Sequence, residues 1–122
     1  MDTARFEVKG TTPLKVQIVA TNVRAGSYTL LLWEAGKNII VVEHRGNFIN
    51  AEDDVFDLPL PNKANIRRLV ECIVTAVAPP NRKGSIGLTV SQDGTKLATD
   101  TGDVDEGPGS NTVDLFILLE EK

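Results

Sequence analysis

The fold is decided by residues 85–99, which read Ser85-Ile86-Gly87-Leu88-Thr89-Val90-Ser91-Gln92-Asp93-Gly94-Thr95-Lys96-Leu97-Ala98-Thr99. The Asp93-Gly94 pair tolerates the positive φ angles of a type I′ turn, whose twist matches that of two antiparallel strands. Folding the chain at this pair predicts a β-hairpin that places Val90 opposite Leu97. The next inward pair of the same hairpin is then Leu88 and Thr99.

Alternation of apolar and polar residues with a period of two recurs along the chain and is typical of half-buried strands. It is clear in residues 113–119, where Phe116 and Leu118 add apolar side chains on the opposite face and so predict a central strand. Further strand candidates are residues 5–9, 14–21, 28–33, 39–42 and 55–58. The segments 28–33 and 39–42 are apolar on both faces.

Residues 66–78 fit two periodicities at once. Leu69, Cys72 and Ala76 have helical spacing, and Asn65 is a residue that often caps a helix. The β-branched residues Val70, Ile73, Val74, Thr75 and Val77 are concentrated in the second part of the segment. Because such side chains fit a pleated strand better than a helix, we predict a strand here, with a short helix as the alternative.

Seven to nine strand candidates joined mainly by short turns predict an all-β fold, a single-domain antiparallel β-sandwich over residues 1–122. We expect the sandwich to be immunoglobulin-like or jelly-roll-like, and a small closed barrel is the structural alternative. The length agrees with one domain, because a single core usually serves ~100–200 residues. The disulfide of antibody domains is excluded, since the chain has one cysteine.

Charge and hydropathy narrow the classes of partner. The formal net charge is −4, which repels phosphate backbones, so we expect no nucleic-acid partner. The longest apolar run, residues 69–80, contains Glu71 and is too short to span a bilayer, so we expect no membrane insertion. The first residues lack the apolar segment of a secretory signal. We therefore expect a soluble protein, cytoplasmic if the chain is full length and secreted if a signal peptide was removed.

Residue types that carry catalysis are sparse in this chain. His44 is the only histidine, and its place after the apolar run 39–42 predicts a strand-end residue in contact with water. Cys72 is the only cysteine, lacks a partner at metal-ligand spacing and has apolar neighbours, which predicts burial. The sequence has no nucleophile elbow and no glycine-rich phosphate loop. We therefore predict no enzyme activity and no catalytic residue.

Two acidic clusters are the stronger candidates for chemistry. The first contains Glu52, Asp53, Asp54 and Asp57, around a short strand. The second contains Asp100, Asp103, Asp105 and Glu106, in a predicted irregular, glycine-rich connection over residues 100–111. Calcium takes about six to eight oxygen ligands, so the second cluster is the candidate metal site and calcium the one candidate cofactor. Its spacing does not match an EF-hand loop, and Asp and Gly are also ordinary loop residues.

Aromatic rings are the candidates for stacking on a sugar. Trp33 and Phe48 are the candidate rings, with Asp53 and Asp54 as polar ligand-binding residues nearby. Tyr28 and Trp33 are an odd number of residues apart, so within one strand they point to opposite faces, and one of them is expected in the core. Phe48 follows a Gly-Asn pair and is predicted to be exposed in a loop.

These patterns favour a non-catalytic binding or accessory module that acts through surface loops or edge strands. Rigid sheets present variable loops, which makes residues 46–54 and 100–111 the expected contact regions for a protein or glycan partner. The first alternative is a carbohydrate-binding module that calcium assists. The second is a hydrolase built on carboxylates, which requires the two acidic clusters to converge in one cleft.

Overall fold

Nine strands and one short 3₁₀ helix make up the part of the chain that the computed structural model describes, residues 2–48 and 54–122. In chain order the strands are β1 (Asp2–Phe6), β2 (Lys15–Thr21), β3 (Ala25–Trp33), β4 (Ile40–Asn47), β5 (Asp54–Asp57), β6 (Leu69–Val77), β7 (Gly84–Gln92), β8 (Thr95–Val104) and β9 (Asn111–Glu121). The 3₁₀ helix, Asn62–Asn65, precedes β6. Within the described ranges, no helix has both the length and the apolar character needed to cross a membrane.

The strands form two sheets that enclose one core, which confirms the predicted all-β sandwich. The five-stranded sheet has the order β1-β9-β6-β3-β4, and the four-stranded sheet has the order β5-β2-β7-β8. Every pair is antiparallel except β1 with β9, which run parallel. The sandwich is therefore antiparallel, with one parallel seam between its first and last strands.

Every second residue of the inner strands fills the core. In β7, the alternating residues Ile86, Leu88 and Val90 are fully buried, as the period of two predicts. Cys72 is fully buried in β6, which confirms both the strand prediction for this segment and the burial of the thiol. β9 lies between β1 and β6, so its predicted central position is confirmed as well.

The β7–β8 hairpin forms at the predicted turn, but the predicted register is wrong by one residue. Both turn residues have positive φ angles, as a type I′ turn requires. A β-bulge next to the turn shifts the ladder, so that Val90 lies opposite Ala98 and Leu88 lies opposite Asp100. Leu97 is the extra residue, and its half-buried side chain packs against the core. Burial of this apolar side chain explains the bulge.

The predicted irregular connection over residues 100–111 is wrong in its first part, because β8 continues to Val104. Val104 is fully buried and so anchors the end of the strand. Gly102 has no room for a β-carbon because the Val113 side chain of β9 lies against it. These two contacts with the core and with β9 hold an acidic, glycine-rich segment in a strand against its local preference.

Candidate functional site

The two aromatic candidates, Trp33 and Phe48, lie at opposite ends of the β3–β4 hairpin. Trp33 pairs with Ile40 near the turn, whereas the backbone N–H of Phe48 donates to the carbonyl of Gly26 at the far end. Gly26 and Trp33 are seven residues apart, which corresponds to about 23 Å of extended strand. The structure therefore does not bring Trp33 and Phe48 together into one sugar-binding platform.

Two of the candidate ligand-binding residues, Phe48 and Asp54, contact Tyr28 at the far end of this hairpin. The buried ring centre of Tyr28 lies 5.3 Å from that of Phe48, and its hydroxyl donates a hydrogen bond to the Asp54 carboxylate. Burial of the ring, followed by this hydrogen bond and the negative charge of Asp54, raises the pKa of Tyr28. Phe48 is half-buried against the core, so its predicted exposure is wrong. Glu52 and Asp53 lie outside the described residues.

The acidic clusters do not converge in the described part of the chain. Asp54 and Asp57 lie on β5 and Asp100 and Asp103 lie on β8, which are the two opposite edges of the four-stranded sheet. The described members of the two clusters thus share no cleft of the kind that a hydrolase built from both clusters requires. No three or more acidic, histidine or cysteine side chains among residues 2–48 and 54–122 are grouped so that they could hold a metal ion.

Two of the four candidate calcium ligands have other partners. The Asp100 carboxylate accepts the backbone N–H of Phe116 at 2.9 Å, at a point where β9 extends beyond the start of β1. Asp103 forms an ion pair with Lys83, with 3.8 Å between Oδ2 and Nζ. Asp105 and Glu106 follow β8 as exposed residues. Asp100 therefore satisfies an open backbone donor in the fold and does not join the other three in a metal site.

The lone histidine also differs from its prediction. His44 lies in the middle of β4, half-buried, and its ring stacks on Phe56 of β5 with 4.3 Å between ring centres. This contact joins the edges of the two sheets, so the predicted position at a strand end in water is wrong. In the core, burial raises the pKa of the Cys72 thiol to about 12, which keeps it protonated and unreactive.

A different group of residues forms the best candidate site, on the face of the five-stranded sheet that points away from the core. We call this surface the outer face. The register places Leu118, Leu69, Trp33 and Ile40 side by side across β9, β6, β3 and β4. A cavity of about 510 Å³ lies over three members of this row, Leu118, Leu69 and Trp33. We call it the Trp33 cavity, and its volume is within the range of small-molecule sites.

Polar side chains surround the apolar floor of the Trp33 cavity. The β3–β4 turn contributes Glu34, Lys37 and Asn38 to the rim, and the segment before β6 contributes Arg67. Gly36 allows the turn to form, because its φ of +61° lies in the left-handed region that favours glycine. The rim thus consists of two short segments that the sheet holds in place.

An ion pair fixes these two segments to each other. The guanidinium of Arg68 donates to both carboxylate oxygens of Glu34, from Nε and Nη2 at 3.1 Å each, and also to Asn65. The hydrogen bonds from Arg68 to Glu34, followed by one from the backbone N–H of Ala35, lower the pKa of Glu34. The Arg68 side chain is only 12% exposed, so water screens this ion pair little. The bidentate pair therefore holds the β3–β4 turn against the segment before β6.

Glu71 lines the Trp33 cavity and is paired with a second carboxyl group beside it. Glu71 is 9% exposed, and its Oε1 accepts the indole N–H of Trp33 at 2.9 Å. The neighbouring Asp114 on β9 shares a hydrogen bond with Glu71. Asp114 is an exposed residue as a whole, but partial desolvation of its carboxyl, followed by the hydrogen bond with and charge of Glu71, raises its pKa to about 6.

The Asp114–Glu71 pair predicts a measurable pH dependence. The pKa of Asp114 rises from 3.8 to about 6 on folding, so the folded state binds the proton more tightly. The stability that this proton provides is complete below the lower value and is lost as the pH rises through about 6. We expect Asp114→Asn to abolish this loss and to raise the free energy of unfolding at neutral pH by about 1 kcal/mol, a figure reduced for solvent screening.

Urea unfolding of the wild type and Asp114→Asn from about pH 4 to about pH 7 measures this difference. Asp105→Asn is the matched control, because it removes one exposed carboxyl away from the outer face. Parallel stability curves for the wild type and Asp114→Asn would contradict the raised pKa of Asp114.

Most of this site differs from the prediction made from the sequence. Trp33 is a predicted ligand-binding residue, but with Phe48 as its partner, and Glu71 is in the sequence only an interruption of an apolar run. A charged residue in the middle of a central strand is itself a signal, since such residues are rarely buried without partners. No known family model, curated protein or solved structure matches this chain, so the site is interpreted from its own geometry.

Proposed function

We propose that this domain is a non-catalytic binding module and that the Trp33 cavity is its binding site. The observation that carries the proposal is the cavity itself, an apolar floor within a polar rim on the outer face of a sheet. An exposed face of an antiparallel sheet is normally polar and solvated, so an apolar cavity on such a face indicates a binding site. Its rim of loop residues on a rigid sheet is typical of binding sites.

The charges around the cavity favour a small amphipathic anion as the ligand. Arg68 neutralises Glu34, and Glu71 accepts the Trp33 indole N–H and, below about pH 6, the hydrogen bond of the protonated Asp114 carboxyl. Lys37 and Arg67 are the other two rim cations, and in residues 2–48 and 54–122 neither has a carboxylate within ion-pair distance, although the charge of Lys37 acts on Glu34 from farther away. An apolar ring on the floor and an anionic group toward these two cations would satisfy both halves of the site.

A monosaccharide stacked on Trp33 is the second candidate ligand. The observation in its favour is that an indole ring, an amide and a carboxylate, those of Trp33, Asn38 and Glu71, line one cavity. Flat apolar rings support stacking, and the two polar groups offer hydrogen bonds to hydroxyl groups. This version of the carbohydrate hypothesis uses Trp33 without Phe48, Asp53 or Asp54.

The type of β-sandwich is not the basis for the proposed binding function. Immunoglobulin-like and jelly-roll-like sandwiches are the two arrangements that we propose for this fold, and each hosts many unrelated functions. The function is therefore inferred from the side chains of the cavity.

Titration with naphthoate, an aromatic carboxylate, tests the proposal. Trp33 is the only tryptophan, so its indole N–H gives one resonance in a proton–nitrogen correlation spectrum. At about pH 5, where the Asp114 carboxyl is protonated, we expect naphthoate to shift this resonance with a Kd below about 1 mM, and neutral naphthalenemethanol to bind at least about tenfold more weakly. A panel of monosaccharides in the same assay tests the second candidate.

Charge variants locate the binding. The double variant Lys37→Glu/Arg67→Glu is expected to weaken naphthoate binding by about tenfold or more, because it reverses both free cations. Lys96→Glu, the same change at an exposed position on β8, is the control and should leave the Kd unchanged. An indole resonance that no ligand of either class moves would contradict a binding site in this cavity. Equal binding of naphthoate and the neutral alcohol would contradict the anionic ligand.

A further inference from the structure

The outer edge of β4 is an exposed strand edge with a distinctive charge pattern. β4 pairs with β3 on one side, and none of the strands in the described ranges pairs with it on the other. The strand has eight residues and begins at Ile40, which is 45% exposed. The other three sheet edges are less available for pairing. β1 and β5 are shorter, with five and four residues, and β8 is in contact with β1 and β9 of the other sheet. A long exposed edge is a template for pairing with another strand.

Hydrogen bonds within the sheet show which backbone groups point to this edge. The backbone N–H of Phe48 donates to Gly26 at 3.0 Å, so this position faces β3. Backbone groups alternate in direction along a strand, so His44, four residues earlier, also faces β3. The N–H and C=O groups of Glu43 and Arg45 then point to the free edge and are the ones that a new strand would bind.

The charges on β4 select one register for pairing with a second copy. Glu43 and Arg45 lie on the outer face, with side chains 41% and 74% exposed, and they form an ion pair with 3.2 Å between Oε2 and Nε. An antiparallel pair centred on His44 places Glu43 of each copy opposite Arg45 of the other. A shift by two residues in either direction instead places Glu43 against Glu43 or Arg45 against Arg45, which is unfavourable.

We propose that this protein forms a symmetric dimer by antiparallel pairing of β4 with β4 of a second copy, centred on His44. The Glu43–Arg45 contact then forms twice across the two-fold axis, as an isologous interface requires. The two five-stranded sheets become one continuous sheet. The bulge that interrupts the β3–β4 ladder between Leu32 and Trp33 limits the new ladder at its Ile40 end. The proposal is independent of the Trp33 cavity.

Sedimentation velocity over a concentration series tests the dimer. We expect the wild type to dimerise, and Glu43→Arg and Arg45→Glu each to raise the dimer dissociation constant by about tenfold or more, because like charges then face each other twice. The double variant Glu43→Arg/Arg45→Glu restores opposite charges across the axis and is expected to restore the dimer. Lys15→Glu, which disrupts the exposed Lys15–Asp57 ion pair on the other sheet, is the control and should have no effect.

Amide hydrogen exchange provides a readout that identifies the strand. The amides of Glu43 and Arg45 should exchange rapidly in dilute protein and become protected as the dimer forms, whereas the amide of His44 should be protected throughout. A wild type that stays monomeric up to about 1 mM would overturn the proposal. So would a dimer that neither single charge reversal weakens, or one that leaves the Glu43 and Arg45 amides unprotected.

Discussion

Replacing Gly46 with alanine is expected to lower the free energy of unfolding by about 3 kcal/mol. Gly46 lies opposite Tyr28 in the β3–β4 ladder, and the Tyr28 ring occupies the space that a β-carbon at position 46 would need. The ring cannot move without cost, since it contacts Phe48 and Phe56 and hydrogen-bonds Asp54. Urea unfolding at neutral pH measures the loss.

Gly87→Ala is the matched control for Gly46→Ala. Gly87 is also a strand glycine, but a β-carbon there would meet no atom within 4 Å. We expect Gly87→Ala to be neutral or to stabilise the fold by a few tenths of a kcal/mol, because alanine loses less backbone entropy on folding than glycine. Equal losses for the two variants would show that backbone flexibility, and not the Tyr28 ring, determines the requirement for glycine.

Shortening Leu88 to alanine is expected to cost about 3 kcal/mol and to lower the melting temperature by about 10 °C. Leu88 is fully buried in the middle of β7, between Ile18 of β2 and Asp100 of β8 in the ladder. The strands on both sides fix the backbone here, so the site cannot collapse around the missing atoms and a cavity remains. Calorimetry and urea unfolding measure the two quantities.

Leu60→Ala provides the comparison for the core variant. Leu60 is 50% exposed and lies outside the strands, so the same loss of side-chain atoms is expected to change stability by less than about 0.5 kcal/mol. A loss at Leu60 as large as at Leu88 would contradict the assignment of the core to the inner faces of the two sheets.

The fold could be predicted from the sequence because its signals are local. The Asp93-Gly94 turn, the alternation in β7 and the β-branched residues of β6 each lie within a dozen residues, and each forms the expected structure. The prediction of the hairpin register was wrong because the bulge depends on where Leu97 packs, and this is determined by the core. The predicted end of β8 was wrong for the same reason, because tertiary contacts bury Val104 in a segment of turn-forming residues.

The candidate site could not be predicted, because its residues come from distant parts of the chain. Leu118, Leu69 and Trp33 become neighbours only through the registers of two strand pairs. A shift of one residue in either register would move a side chain to the other face of the sheet. The carboxyl pair Glu71–Asp114 depends on the same registers, so neither sequence spacing nor composition indicates it.

The parallel seam between β1 and β9 determines when the protein can fold. Asp2 pairs with Ile117 and Phe6 pairs with Glu121, so among the described strands β1 pairs only with β9. During synthesis β1 therefore stays unpaired until residues 117–121 have emerged, and the edge of β6 that pairs with β9 stays open until then. Contacts of such large sequence separation make folding slow. The sandwich closes late, and the exposed edges of β1 and β6 are where an incomplete chain would aggregate.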